Sequence, residues 1–96
     1  MARREYAVNI RVNGRLINKI VIDPHFELKH AKSISDEIII KLVKRLDGFE
    51  YPIDSEDPPF TYFVTDKIEL NGKFYKLVWL LEDKQIYIGI VNAYRR

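Results

Sequence analysis

The stretch Lys73-Phe-Tyr-Lys-Leu-Val-Trp-Leu-Leu-Glu-Asp-Lys-Gln-Ile-Tyr-Ile-Gly-Ile-Val-Asn-Ala-Tyr-Arg-Arg96 decides the fold. Two runs rich in β-branched and aromatic residues flank the polar turn Glu82-Asp83-Lys84-Gln85, which is a hairpin signal. Pairing Leu81 with Ile86 sets Trp79 opposite Ile88, Leu77 opposite Ile90 and Tyr75 opposite Asn92. In that register one face is apolar over most of its length and ends on Tyr75, Asn92 and Tyr94. The other carries Phe74, Lys76, Val78 and Leu80 beside Tyr87, Gly89, Val91, Ala93 and Arg95. Both faces are largely apolar near the turn, so the two strands belong in the middle of a sheet. The polar end of the hairpin is left for another purpose.

Working outward, Asn71-Gly72 is a two-residue turn signal that joins Lys67–Leu70 to the strand beginning at Lys73. Phe60–Thr65 reads as a further strand, or as the first part of one bent strand with Lys67–Leu70. Phe49–Pro59, with its prolines and Glu50, Asp54, Glu56 and Asp57, reads as a loop. Ile39, Leu42, Val43 and Leu46 recur at helical spacing, with Lys41, Lys44 and Arg45 on the wet side. Ser33 or Ser35 can cap that helix, Ser33 with Asp36 at capping-box spacing, and Gly48 can end it. Near the N-terminus Tyr6, Val8, Ile10 and Val12 alternate with polar neighbours. Asn13-Gly14 turns the chain, and Arg15–Asp23 returns with Ile17 and Val21 opposite Ile10 and Tyr6. Pro24 stops that strand. His25–Lys32 reads as a short helix or an ordered loop. The expectation is one α+β domain over residues 1–96, in the order β-β-α-β-β-β: a twisted antiparallel sheet of five to six strands with one amphipathic helix on one face.

Composition narrows the function. A hydrophobic fraction of 47% with 31% charged residues is that of a folded domain. Cys is absent, which excludes disulfides, thiolate metal sites and a Cys nucleophile. No run approaches the about 18 apolar residues of a membrane span, and the N-terminus lacks the apolar stretch of a signal peptide, so a soluble cytoplasmic protein is expected. Many Ile and Lys, with abundant opposite charges, hint at a thermophilic source. The net charge of +2 does not by itself announce nucleic acid. Its distribution says more: Arg3, Arg4, Arg11 and Arg15 load one end of the chain, and Arg95 and Arg96 close the other.

Both histidines fall in one short stretch. Lys29-His30-Ala31-Lys32 sets an imidazole between ammonium groups, whose charge favours the neutral ring that can accept a proton. The same ammonium groups suit a phosphate and the added negative charge of its transition state. That chemistry fits metal-independent RNA cleavage by attack of a 2′-hydroxyl on the adjacent phosphorus. Lys76, Tyr94 and Arg95 could complete the phosphate contacts, and Asn92 could donate to them. The plain alternative is a loop histidine beside solvated lysines. His25 and His30, five apart with Glu27 between, match no helical metal-ligand spacing, and no cofactor is called for. Tyr75, Trp79, Tyr87 and Tyr94 are candidates to stack on bases, although Trp79 in a central strand reads better as core.

Lys29-His30-Ala31 ahead of an amphipathic helix, with a C-terminal hairpin ending on polar residues, resembles the barnase/colicin/RelE-like superfamily of small ribonucleases. Within it the chain is most similar to colicin D-like transfer-RNA nucleases and toxin domains of that build, over Phe26 to the C-terminus. The resemblance implies His30 as general base or acid, Lys29 on phosphate charge, and Asn92 at a late-strand position where Ser or Thr is more usual. It implies RNA as substrate, transfer RNA included, and an antitoxin or immunity protein as partner. The hairpin through Asp23 lies outside it and could be a docking edge for such a partner or for a second copy of the chain. The alternative function is a non-catalytic nucleic-acid-binding or protein-interaction module.

Overall fold

The computed structural model describes residues 3–23 and 34–96. Strand β1 (Arg4–Val12) turns at Asn13-Gly14 into β2 (Arg15–Ile22), and helix α1 (Asp36–Lys44) follows. Then come β3 (Ser55–Asp57), β4 (Phe60–Leu70), β5 (Lys73–Glu82) and β6 (Tyr87–Arg95). The strands form one six-stranded sheet in the order β1-β2-β6-β5-β4-β3. This is an α+β architecture dominated by sheet. As their two apolar faces require, β5 and β6 lie in the middle.

The sheet is mixed, which corrects the antiparallel expectation. β2 and β6 run parallel, with Lys19 opposite Tyr87, Ile20 opposite Ile88 and Val21 opposite Gly89. Hairpin signals report only pairing between sequence neighbours, and β2 and β6 are far apart in sequence. A second correction concerns Ser55–Asp57, expected in a loop. It pairs with Phe60–Tyr62 as an edge strand. Its residues are all exposed, so no apolar pattern marks it.

Registers also shift. The C-terminal hairpin pairs Leu81 with Ile88 and Trp79 with Ile90, because the chain from Glu82 to Ile86 is longer than a tight turn. Between Trp79 and Val78 the ladder slips again, so that Val78 meets Asn92 and Leu77 meets Ala93. The extra residue in β6 is a β-bulge, and it reverses which face the following side chains take. In the first hairpin a bulge in β1 between Ala7 and Ile10 puts Ile20, not Val21, opposite Tyr6, while Ile10 meets Ile17 as expected. β4 is the single bent strand, broken by a bulge between Thr65 and Ile68.

The helix follows its sequence signals closely. Ser35 is the N-cap, its hydroxyl accepting from the Ile38 amide at 3.3 Å. Ser33 lies outside the described residues, as do Pro24 and the whole His25–Lys32 stretch. Asp36, expected in a capping box, is instead turned to β1. It accepts from Arg4 Nε at 2.6 Å, from Arg4 Nη2 at 3.1 Å and from the Tyr6 hydroxyl. Ile39, Leu42 and Val43 are buried, with Leu46 just beyond the helix. The C-cap is Arg45, and the chain closes through i→i−3 bonds from Leu46 and Asp47 before Gly48, at φ +89°. Gly48 thus ends the tightened turn after the helix rather than standing next to its cap.

The core lies between α1 and one face of the sheet. Trp79 is its centre, fully buried, stacked on Phe63 at 4.1 Å between ring centres and met edge-on by Tyr51 at 5.7 Å. Its indole N–H finds Thr65 Oγ1 at 3.0 Å, the partner a buried tryptophan needs. On the outer side of β1, Arg11 N donates to Asp47 Oδ1 and Gly48 N donates to the Arg11 carbonyl, both at 2.8 Å. The Asn13 side chain clasps both backbone groups of Tyr51. That end of the edge strand is therefore occupied by the chain's own loop.

Asp36 ties the helix start to the sheet, and its titration reads out that tie. The Arg4 hydrogen bond holds the carboxyl below the usual Asp range, with Tyr6 adding to it. The ionised form is thus the one folding favours. Its contribution is complete above about pH 4 and disappears as pH falls through the lowered folded value. Because Arg4 is more than a third exposed, Asp36→Asn should cost about 1 kcal/mol at neutral pH, a fall in melting temperature of about 4–8 °C. Thermal melts across the acid range should show the gap between variant and wild type closing as pH drops.

Candidate functional site

Alternation along β6 beyond its bulge decides which polar residues meet. Lys76 pairs with Tyr94 and Val78 with Asn92, so Asn92, Tyr94 and Lys76 share the face turned away from α1. Arg95 falls at the alternate position, paired with Tyr75, a residue of the helix-side core. The pleat brings three of the sheet residues singled out in the sequence together and sends the fourth the other way.

Asn92 is only 2% exposed and is the one fully buried polar side chain among the described residues. Its Oδ1 accepts from the Ala93 amide at 2.9 Å, and its Nδ2 donates to the Tyr94 hydroxyl at 2.9 Å. Both ends of the buried amide are thereby used, as burial demands. Tyr94 is 43% exposed, and Lys76 Nζ stands 6.0 Å from its ring centre. A phenol oxygen that accepts from Asn92 keeps its own proton to donate outward, and the accepted bond strengthens that donation. A fixed O–H donor beside an ammonium group is a contact set for one anionic oxygen. Asn92 holds Tyr94 rather than reaching solvent itself.

Of the four aromatics considered for base stacking, Trp79 and Tyr75 are core residues, and Tyr87 is half-buried with its hydroxyl given to Glu82. Tyr94 alone of the four is exposed. Lys29, His30 and Lys32 lie outside the described residues. The chain on either side of them does not. β2 runs beside the first residues of β6, Lys19 to Val21 opposite Tyr87 to Gly89, so its end at Ile22 is level with the middle of β6. Arg4 pairs with Ile22, and Asp36 is bound to Arg4, so the start of α1 is held near the end of β2. Ile34, the described residue that follows the stretch, packs in the helix-side core, whereas Lys76, Asn92 and Tyr94 share the opposite face of the sheet.

Sequence reasoning passed over a neighbouring cleft of about 510 Å³ lined by Lys67, Phe74 and Arg96. Its one signal was Asp66-Lys67, which interrupts the alternation of β4 and marks the bulge. Among the described residues no group of three or more His, Asp or Glu side chains converges as metal ligands, and no helix is long and apolar enough to cross a membrane. No known protein family, curated protein or solved structure gives a significant match to this chain.

Removing the buried amide should separate structure from display. Asn92→Ala takes the acceptor from a buried N–H and should cost about 1–3 kcal/mol in urea unfolding. Tyr94→Phe takes the acceptor from the buried Asn92 Nδ2 and should cost about 1 kcal/mol, whereas Lys76→Gln, which touches neither bond, should stay within about 0.5 kcal/mol of wild type.

Proposed function

We propose that this chain is a metal-independent endoribonuclease of toxin type, acting on cytoplasmic RNA. The observation that carries the reading is the polar cluster Lys76–Asn92–Tyr94, a held hydroxyl donor next to a lysine on the late strands. His30 is four residues from Ile34, a reach of at most about 14 Å of extended chain. His30 takes the proton of a 2′-hydroxyl or delivers one to the leaving 5′-oxygen. The 2′-oxygen bonds to phosphorus as the bond to the 5′-oxygen breaks, leaving a cyclic phosphate and a 5′-hydroxyl. Lys29 and Lys32 offset the charge gathering on the phosphoryl oxygens, and Lys76 with the Tyr94 hydroxyl holds one of them. Arg95, on the alternate position of β6, is left out of this set.

The resemblance to colicin D-like nucleases supports transfer RNA among the substrates and an antitoxin or immunity protein as partner. Such a partner, or a second copy of the chain, would have the Arg4–Ile10 part of the β1 edge to pair with, since Arg11–Asn13 is already covered. A non-catalytic nucleic-acid-binding module is the second reading. Four of its six arginines are already engaged: Arg3 with Glu5, Arg4 with Asp36, Arg15 with the Glu82 and Gln85 carbonyls, and Arg96 with Asp66.

Cleavage of RNA in the presence of a chelator is the test. Wild type should cut a substrate that a 2′-deoxy substitution at the scissile position renders inert. His30→Ala should lower the rate by about 100-fold or more with an unchanged melting temperature. Activity that survives the substitution removes the mechanism, and salt-sensitive binding without products favours the module instead.

A further inference from the structure

The cleft beside the cluster is built rather than incidental. Lys67 adopts φ +58°, a left-handed conformation that costs a lysine about 1 kcal/mol or more, and such strain concentrates at functional positions. Asp66 holds it there: its Oδ1 accepts from the Lys67 amide at 2.7 Å. The same oxygen receives Arg96 Nε at 3.0 Å, and the Arg96 amide donates to the Phe74 carbonyl at 2.8 Å. One carboxylate at the β4 bulge therefore holds the Lys67 backbone and the Arg96 guanidinium together. Between them Phe74 is 49% exposed in an ordered strand, with Lys76 and Tyr94 further along the same face.

The ingredients are an aromatic face, two directed cations and a second aromatic with its own cation. Phosphate alone would not need the ring, and an apolar ligand would not need the cations. The charge balance is also modest. Lys67, Lys76 and Arg96 face Asp66 and Glu69, the latter paired with Phe74, so the cleft is no trough for a duplex backbone. Unpaired nucleotides offer a base to stack and a single phosphate beside it.

The geometry points to a subsite for an unpaired nucleotide of the RNA strand, its base stacked on Phe74 and its phosphate held by Lys67. This rests on the ribonuclease reading for the identity of the polymer, and it adds that the enzyme takes single-stranded or looped-out RNA, engaging the strand beyond the scissile bond. Arg96, already paired with Asp66, orients the wall of the cleft.

A short, uncleavable 2′-O-methyl oligoribonucleotide is the probe, with its duplex as control. Wild type should bind the single strand and prefer it to the duplex. Phe74→Ala should weaken binding about tenfold and Phe74→Trp should restore it. Lys67→Gly keeps a backbone that glycine adopts freely, so it tests the charge without threatening the fold. It should reduce the slope of log affinity on log salt by about 0.7. No binding by wild type, equal binding of duplex and single strand, or affinity unmoved by Phe74→Ala would each overturn the subsite. The two ideas fail separately. Cleavage that depends on His30 but not on Phe74 or Lys67 sinks the subsite and leaves the nuclease, whereas Phe74-dependent binding without cleavage does the reverse.

Discussion

The parallel pairing of β2 with β6 is the constraint on which the rest of this molecule depends. It is short, three matched residue pairs, yet it joins the N-terminal hairpin to the sheet built by the second half of the chain. Without it no strand pairing would connect the first hairpin, with the buried Ile17, Ile20 and Ile22, to the rest of the sheet. It also fixes direction. The register sets the end of β2 level with the middle of β6, beside Ile90. The Asp36 clasp on Arg4 and Tyr6 then returns the chain to that end at the start of α1.

What the sequence made legible follows from what repeats locally. Asn13-Gly14 and Asn71-Gly72 announced their hairpins through residues that tolerate positive φ, and all four adopt it. The helix stripe Ile39, Leu42, Val43 and Leu46 is buried as its spacing implies. Of the bulges only that of β4 left a trace, at Asp66-Lys67. Each of the three adds one residue and reverses the faces beyond it, so a correct strand can carry a wrong assignment of its side chains. At β6 the consequence reached the candidate site: strict alternation sets Lys76 with Arg95, and the bulge sets it with Asn92 and Tyr94. Trp79 with Val78 gives no hint of the slip, because both suit a strand equally well.

The side chains that pin the loops were legible only as residue types. Asn13 and Asp36 read as turn and cap residues, and the side chain of each, like that of Asp47, reaches a partner more than 29 positions away. Local hydrogen-bonding habits of Asn and Asp predict the nearest partner, and tertiary packing supplied a better one. The same holds for the basic N-terminal region. Its clustering in sequence suggested a polyanion surface, but Arg4 and Arg15 have structural duties that hold the helix and the Glu82–Ile86 turn in place.

That redistribution bears on where a polyanion would be met. A guanidinium bonded to a carboxylate or to carbonyls has already replaced its water with protein partners, and recruiting it to a phosphate would mean breaking those bonds. Lys76 is held only against the Tyr94 ring, where its ammonium keeps hydrogens to give, and Lys67 projects from a strained backbone with its amide, not its charge, committed to Asp66. Lys67 and Lys76, both with donors to spare, lie on the side of β4, β5 and β6 away from α1, close to Phe74 and Tyr94. A charged ligand steered to this protein by its modest positive balance would find its contacts there. The physical case for a site rests on these two lysines beside exposed aromatic rings, not on Arg4, Arg15 and Arg96, which the fold already uses.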